Sequence, residues 1–383
     1  MNNKRSNDFG RMGHAEAFDA SFEKPADDFP LRPTNEVLIR KKKRTHNKLK
    51  KRLKIAAIVV GIIALIAGGA AWAVVSSIKA DESAMKQASE PTQIETVEDA
   101  VSYDEGRTIE HNGHTYAYNE NIVSVVVMGY DKSLHANSTA GSGQADAVMV
   151  LALDTQTGKA TAIGIPRDSM VDVGEFVGDA FIGQEKMQLC LAFSYGDGAH
   201  TSCEYTTTAV SRALYNMPMS YYMALDYDGI APLNDAIGGV SVNALETIPN
   251  TGIVAGQDIV LYGDNAARYV QYRDTSTLTS SLDRQARQVQ YLQAFSSKAL
   301  ASAKGNVTSL IDLFNVANQY SVTNLGVNEF GYLASSVLTN GITSLEMVTL
   351  PGEPVQGAQF VEVYLDEEAV YQTVLDVYYT QVD

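Results

Sequence analysis

The stretch that decides the fold runs from Ile122 to Asp168, where three apolar runs follow one another: IVSVVVM at Ile122–Met128, AVMVLAL at Ala147–Leu153 and KATAIGI at Lys159–Ile165. Each is rich in β-branched residues and each ends at polar residues or at Gly or Pro, so each reads as a buried strand. Downstream, a helical pattern at Tyr205–Tyr215 precedes a short strand at Tyr221–Leu225 and a helix near Gly229–Ala236. A strand over Gly239–Leu245 then follows a Gly-Gly turn. Strands interleaved with helices predict an α/β fold, a layered central mixed β-sheet flanked by helices. Spacing and breakers place further helices over Asp264–Tyr272, Ser281–Ala303, Val307–Gln319, Asn328–Leu338 and Glu367–Tyr378, with strands near Ser344–Leu350 and Gln359–Tyr364.

Upstream, Ile55–Ile78 reads IAAIVVGIIALIAGGAAWAVVSSI, without a charge. As a helix it would be about 36 Å long, enough to cross a ~30 Å hydrocarbon core, so one transmembrane helix is expected before the sheet domain. A cleaved signal peptide is the competing reading, but its apolar core would be only ~7–15 residues. Ten Lys and Arg stand between Arg40 and Lys54, against Lys79 alone just after the apolar segment. The positive-inside rule then predicts a single-pass type II protein of the cell membrane, N-terminus cytoplasmic and C-terminal domain extracytoplasmic. Beside a span, topology and contact with anionic membrane lipid explain the basic run more simply than a nuclear or nucleic-acid signal does.

Charge divides at the same place. Residues 1–78 hold 15 Lys and Arg against 7 Asp and Glu, and residues 79–383 hold 14 against 38, a net −24. Duplex binding needs cations to displace counterions, so no nucleic acid partner is expected for the acidic part. The resulting organisation is a disordered basic tail at 1–53, the span at 54–78, an extracytoplasmic linker at 79–118, a main domain at 119–303 and a C-terminal part at 304–383 packed on or continuing it. A flexible linker of that length would have an end-to-end distance of roughly 35 Å. Cys190 and Cys203 stand close in sequence beyond the span, which suits a local disulfide in an oxidising compartment or two buried free thiols.

Phosphate-loop, Gly-x-Ser-x-Gly, paired CxxC and His-Glu-x-x-His signatures are absent from the sequence, which sets aside soluble NTPase, serine hydrolase and zinc enzyme readings. The His111/His114 pair sits in the linker and reads as a solvated turn. What stands out is a set of acids and arginines where strands or helices end. Asp131 follows the first apolar run, Asp146 introduces the second, and Pro166-Arg167-Asp168 ends the third. Ligands collect at strand ends in open α/β sheets, and two carboxylates there could share a hard divalent cation; either Asp could equally be a turn residue. Arg273-Asp274 ends a helix, and Arg284, Arg287 and Gln288 fall on one face of the next. Their guanidinium forks suit bidentate phosphate contacts, or ordinary salt bridges to an acidic surface.

Seven pieces in order carry a family resemblance. They are VVVMGYDK (Val125–Lys132), QADAVMVLALD (Gln144–Asp154), IGIPRDSM (Ile163–Met170), QLCLAFSYGDG (Gln188–Gly198), NDAIGGVSV (Asn234–Val242), ARYVQYRD (Ala267–Asp274) and DRQARQ (Asp283–Gln288). With them the chain resembles the LytR-CpsA-Psr family of bacterial cell-envelope proteins over roughly Ile122–Ala301, and more loosely to the C-terminus. The resemblance implies a phosphotransferase that moves a glycopolymer, such as teichoic acid or capsular polysaccharide, from a polyprenyl-pyrophosphate carrier to a peptidoglycan sugar hydroxyl. Carried over by motif, Asp131 and Asp146 would hold Mg2+ or Mn2+. Arg167, Arg273, Arg284, Arg287, Gln288 and Gln271 would contact phosphate, and Arg167, Asp168 and Asp146 would form the catalytic set. Asp168 would either orient Arg167 or act as base.

Gln144, Gln271 and Ser133 stand where arginines are frequent in the family, and Gln188 and Cys190 near positions often filled by Lys and Asn. Each lost charge-assisted hydrogen bond would remove roughly 1.5–3 kcal/mol from a phosphate site. Two other functions therefore stay open: a non-catalytic envelope protein that binds polyprenyl-pyrophosphate lipids, and a membrane-bound transcriptional attenuator.

Overall fold

The computed structural model describes residues 82–383 apart from 133–142, 178–179, 275, 278, 304 and 343–344. The basic tail, the expected span and Ser133 lie outside the described residues, among which no helix is long and apolar enough to cross a membrane.

The three apolar runs form adjacent strands, Ile122–Tyr130, Ala145–Asp154 and Ala160–Ile165, paired antiparallel. Tyr221–Asp226 adds parallel to the first and Glu346–Thr349 parallel to the third, while Ser321–Thr323 closes the far edge, making a mixed six-stranded sheet. Successive side chains of a strand point to opposite faces, so a strand with no polar alternation must be covered on both. Val126, Met128 and Tyr130 pack under Cys203, Val210 and Leu214 of helix His200–Ala213 and under Tyr371, Val374 and Tyr378 of helix Glu367–Tyr378. Val123 and Val125 face the other way, toward Phe314, Tyr332, Leu333 and Val337 on helices Val307–Asn318 and Val327–Thr339. The layered α/β sheet expected from the sequence is thus observed, and the segment after residue 303 supplies two of its strands and three of its covering helices.

A smaller lobe hangs from the Tyr221 strand. Val240–Asn243 and Asp258–Leu261 pair antiparallel, and helices Asp264–Gln271 and Ser280–Ala303 bury Tyr269, Val270 and Tyr291 against them. Gly238 and Gly239 make the preceding turn with φ of +77° each, a left-handed conformation that costs glycine little. Lys298 caps that turn, its Nζ donating to the Gly238 carbonyl at 2.6 Å.

The structure corrects the linker. A helix occupies residues 82–88 and buries Met85 completely. Strands Val101–Tyr103, Thr108–His111 and His114–Tyr118 then form a sheet whose fourth strand is Tyr379–Gln381 at the C-terminus. Acidic and polar composition suggested a solvated tether, but Ile94, Ile109 and Tyr118 at irregular spacing join the main core. A second unforeseen element is the hairpin of Met170–Val177 with Ala180–Gln188. All described residues belong to one compact unit.

Asp154, at the turn between the second and third strands, accepts from the amides of Gln156 (2.8 Å) and Thr157 (3.0 Å) and from Asn119 Nδ2 (3.1 Å). Burial works to raise its pKa, but these hydrogen bonds outweigh burial and hold it below the ordinary carboxylate value. A depressed pKa contributes stability that is present above the unfolded value of about 3.9 and is lost as the pH falls through the folded one. Asp154→Ala should lower stability by about 1–2 kcal/mol at pH 7. Urea titrations should show the difference from wild type shrinking as the pH is taken below that carboxylate range.

Candidate active site

The first and second strands of the central sheet place their acids at one end. Their register shifts between Gly129 and Tyr130, so Gly129 pairs with Ala147 and Tyr130 with Ala145, leaving Asp146 as the extra residue of a bulge. A bulge re-aims the side chain it carries, and here the Asp146 carboxylate meets arginines from two other elements. Arg167 Nη1 donates to Asp146 Oδ1, and Arg284 Nη2 reaches the same oxygen at 3.4 Å and the Asp146 carbonyl at 3.3 Å. Pro166 ends the third strand beside this point, which is why Arg167 arrives there.

Arg167 is held on every nitrogen. Nε donates to Asp168 Oδ1 at 3.1 Å, and Nη2 donates to Gln144 Oε1 and to the Cys190 sulfur at 3.0 Å. Burial opposes its charge, but Cys190 and Asp168 outweigh that and raise its pKa. Gln188 steadies the acid: its Nε2 donates to Asp168 Oδ1 at 3.3 Å and to the Val361 carbonyl at 2.7 Å. The other Asp168 oxygen is buried and has no hydrogen-bond partner.

Arg273 leaves the end of helix Asp264–Gln271 and donates from Nε to Ser280 Oγ at 3.0 Å. Its pKa is lowered, first by burial and then by Arg284, with Arg167 adding to the effect and Asp168 opposing it. Arg284 is lowered by burial first, with Arg167 again contributing and Tyr227 opposing it. Three guanidinium groups therefore converge and repel one another around Asp146 and Asp168. With Asp131 at the neighbouring strand end the acids match the arginines in number, and guanidinium forks gathered in this way suit an anion with several oxygens.

Arg287 and Gln288 do not join it. Arg287, 1% exposed, spends Nε on the Tyr269 carbonyl at 2.9 Å, Nη2 on the Tyr272 carbonyl and Nη1 on Glu246. Gln288 donates to the Val270 carbonyl at 3.2 Å. Both fasten helix Asp264–Gln271 to its neighbour, so the phosphate contacts expected of them are replaced by a structural role. They lie only three and four residues from Arg284, but the helix turns its face from cleft to core in that step. Gln271 ends its helix half-buried, with no hydrogen bond to the cluster among the described residues.

Of the two readings left open for the cysteines, the structure has the free thiols. Cys190 and Cys203 are free and buried, one against Arg167 and the other in the main core. Tyr227 is the residue that motif reading missed. It is buried, and its pKa is raised by burial, with Arg284, Arg167 and a hydrogen bond with Gln288 pulling it down and Asp131 pushing it up. Its place just past the Tyr221–Asp226 strand, parallel to Ile122–Tyr130, is the strand-end signal that could have found it. A groove of about 550 Å³ lies past Ser169, between Met170, Asp172, Arg212 and Tyr364, and holds none of these cluster residues.

Among the described residues no group of three or more His, Cys, Asp or Glu converges as a self-sufficient metal cage. Asp131 and Asp146 at neighbouring strand ends, with the unpartnered Asp168 oxygen nearby, still suit magnesium, which takes one or two carboxylates and completes its shell with water and phosphate.

The structure is thus a mixed α/β domain with arginines gathered at its strand ends. The LytR_cpsA_psr family model matches residues 74–376, and the chain belongs to that family. It is 24% identical over 254 residues, 66% of this chain and 76% of the relative, to the polyisoprenyl-teichoic acid–peptidoglycan teichoic acid transferase TagU of Bacillus mycoides. The corresponding TagU of Oceanobacillus iheyensis is 23% identical, over 64% of this chain and 72% of its own length. In three dimensions it is similar to B. subtilis TagV, with a TM-score of 0.53 at 22% identity, covering 67% of this chain and 96% of the other. It is also similar to TagT bound to LI-WTA, with a TM-score of 0.51 at 19% identity, covering 67% and 89%.

Removing Arg287 leaves Glu246 and two carbonyls without their donor. Arg287→Ala should cost about 3–5 kcal/mol in thermal or urea unfolding, whereas Arg273→Ala, which gives up one hydrogen bond to a serine, should cost about 1 kcal/mol. Burial raises both thiols, Cys203 to about 12 with Asp197 and Glu204 adding to it. Neither cysteine should react with a maleimide at pH 8 in the native protein, and mass spectrometry should count two adducts after unfolding.

Proposed function

We propose that this protein transfers a glycopolymer from a polyprenyl-pyrophosphate-linked saccharide to a hydroxyl of peptidoglycan, at the outer face of the membrane that its N-terminal span anchors. The observation that carries the proposal is the convergence of Arg167, Arg273 and Arg284 on Asp146 and Asp168. A pyrophosphate suits those gathered guanidinium forks. In the transfer, the acceptor oxygen forms a bond to the phosphorus bearing the glycopolymer, the bond from that phosphorus to the bridging oxygen breaks, and polyprenyl monophosphate leaves, its freed oxygen taking up the proton of the acceptor hydroxyl.

Arg167, fixed by Asp168, Gln144 and Cys190, is pre-set to stabilise charge growing on the leaving phosphate without rearranging. Arg273 and Arg284 contact the remaining oxygens. Asp168 accepts from Arg167 and Gln188 and so serves as an orienter. Mg2+ or Mn2+ held by Asp131 and Asp146 would offset phosphate charge. The arginines lost at Gln144 and Gln271 are met in part by reuse, since Gln144 turns its oxygen to Arg167 and becomes a positioning contact.

The test is release of polyprenyl phosphate by the full-length protein in vesicles carrying the lipid-linked saccharide and peptidoglycan fragments. Arg167→Ala and Asp131→Ala should each lower the rate by about 10²-fold or more. Chelation should abolish release, and added Mg2+ or Mn2+ should restore it. Wild-type protein that binds the lipid yet never turns it over would point instead to a lipid-binding role, the reading that the missing arginines favour.

A further inference from the structure

The hairpin of Met170–Val177 with Ala180–Gln188 begins next to Asp168 and returns next to Cys190, so both its feet stand in the candidate site. Its outer part is apolar and bare: Val177 is 67% exposed, Phe181 55% and Ile182 60%. Between Glu175 and Glu185 the sequence has a single charged residue, Asp179. The hairpin is nevertheless held in place, because Phe176 stacks on Tyr205 of helix His200–Ala213 at 3.7 Å and meets Phe181 edge-on at 5.6 Å.

Phe181 and Ile182 are consecutive, so they project from opposite faces of the ribbon. A protein partner docking on one face would cover one of them and leave the other in water. A fluid apolar medium that surrounds the ribbon covers both. The tether to the span expected from the sequence is also short. The apolar segment ends at Ile78 and the packed helix begins at residue 82, leaving three connecting residues that reach about 11 Å at most. That helix is seated in the fold by Met85 and by its Ala88 carbonyl, which accepts from Ser220 at the start of the Tyr221 strand. Two residues on, Tyr222 bonds His200, at the head of the helix whose Tyr205 carries the hairpin.

We propose that Val177, Phe181 and Ile182 dip into the outer leaflet, a second membrane contact that sets the orientation of the domain on the lipid surface. A body with a net charge of −24 is repelled by anionic headgroups, so this contact works through apolar burial and favours neutral lipid. The hairpin then links the bilayer mechanically to Asp168 and Gln188. The docking depends on the span inferred from the sequence; its consequence for turnover rests on the proposed transferase reading.

The test uses the full-length protein in phosphatidylcholine vesicles, with Phe181→Cys labelled by a polarity-sensitive dye; the native thiols are buried. Brominated lipid should quench that dye at least threefold more than the same dye at Gln372→Cys, an exposed site on the C-terminal helix. Raising the phosphatidylglycerol fraction should weaken the quenching. Equal quenching at 181 and 372 overturns the proposal, as does protection of the 181 dye that depends on protein concentration and not on brominated lipid, which would mean contact between copies. The pair Phe181→Gln and Ile182→Gln, both at exposed positions, should slow turnover of membrane-embedded substrate severalfold and leave a water-soluble short-chain analogue unaffected. If no substrate is turned over by any form, the transferase reading fails while the quenching result still decides the docking.

Discussion

Crowding three guanidinium groups at one sheet end is the constraint on which the rest of the site depends. Like charges in a half-buried cleft repel, and the repulsion is tolerated because Asp146 and Asp168 are held among them, one by a strand bulge and one by a hydrogen bond from Gln188. With Asp131 the acids equal the arginines in number, and the surrounding domain is strongly acidic. Such a domain repels polyanions over most of its surface, and the gathered arginines are where that repulsion is locally relieved.

Much of this was legible from residues alone. The uninterrupted apolar strands announced themselves, because a strand covered on both faces leaves no polar alternation, and Asp131, Asp146 and Arg167 followed as the residues at their ends. Arg284 stands with them in the structure, whereas Arg287 and Gln288, read as sharing its face, donate to backbone carbonyls of the neighbouring helix. Helical spacing says which residues share a face without saying where along the helix that face passes from cleft into core. Here the change comes within one turn, where Tyr269 and Tyr272 offer their carbonyls.

The acidic segment before the first long strand illustrates a second limit. Its composition is that of a solvated tether, yet pairing with Tyr379–Gln381 gives it a partner more than 250 residues away, which no local signal encodes. Tyr227 escaped for a related reason: it is ordinary in its own segment and gains its surroundings from arginines brought in by other elements.

That same pairing bears on how the molecule is made. Chain delivery runs from the N-terminus, so strands Val101–Tyr103 through His114–Tyr118 emerge early but cannot complete their sheet until residues 379–381 have appeared. Closing so long a loop is entropically slow, and the helix that covers the central sheet, Glu367–Tyr378, arrives equally late. The face it covers is shared with helix His200–Ala213, so part of that apolar surface stays bare until residues 367–381 have emerged. Pairing of Tyr379–Gln381 then acts as the latch of the fold.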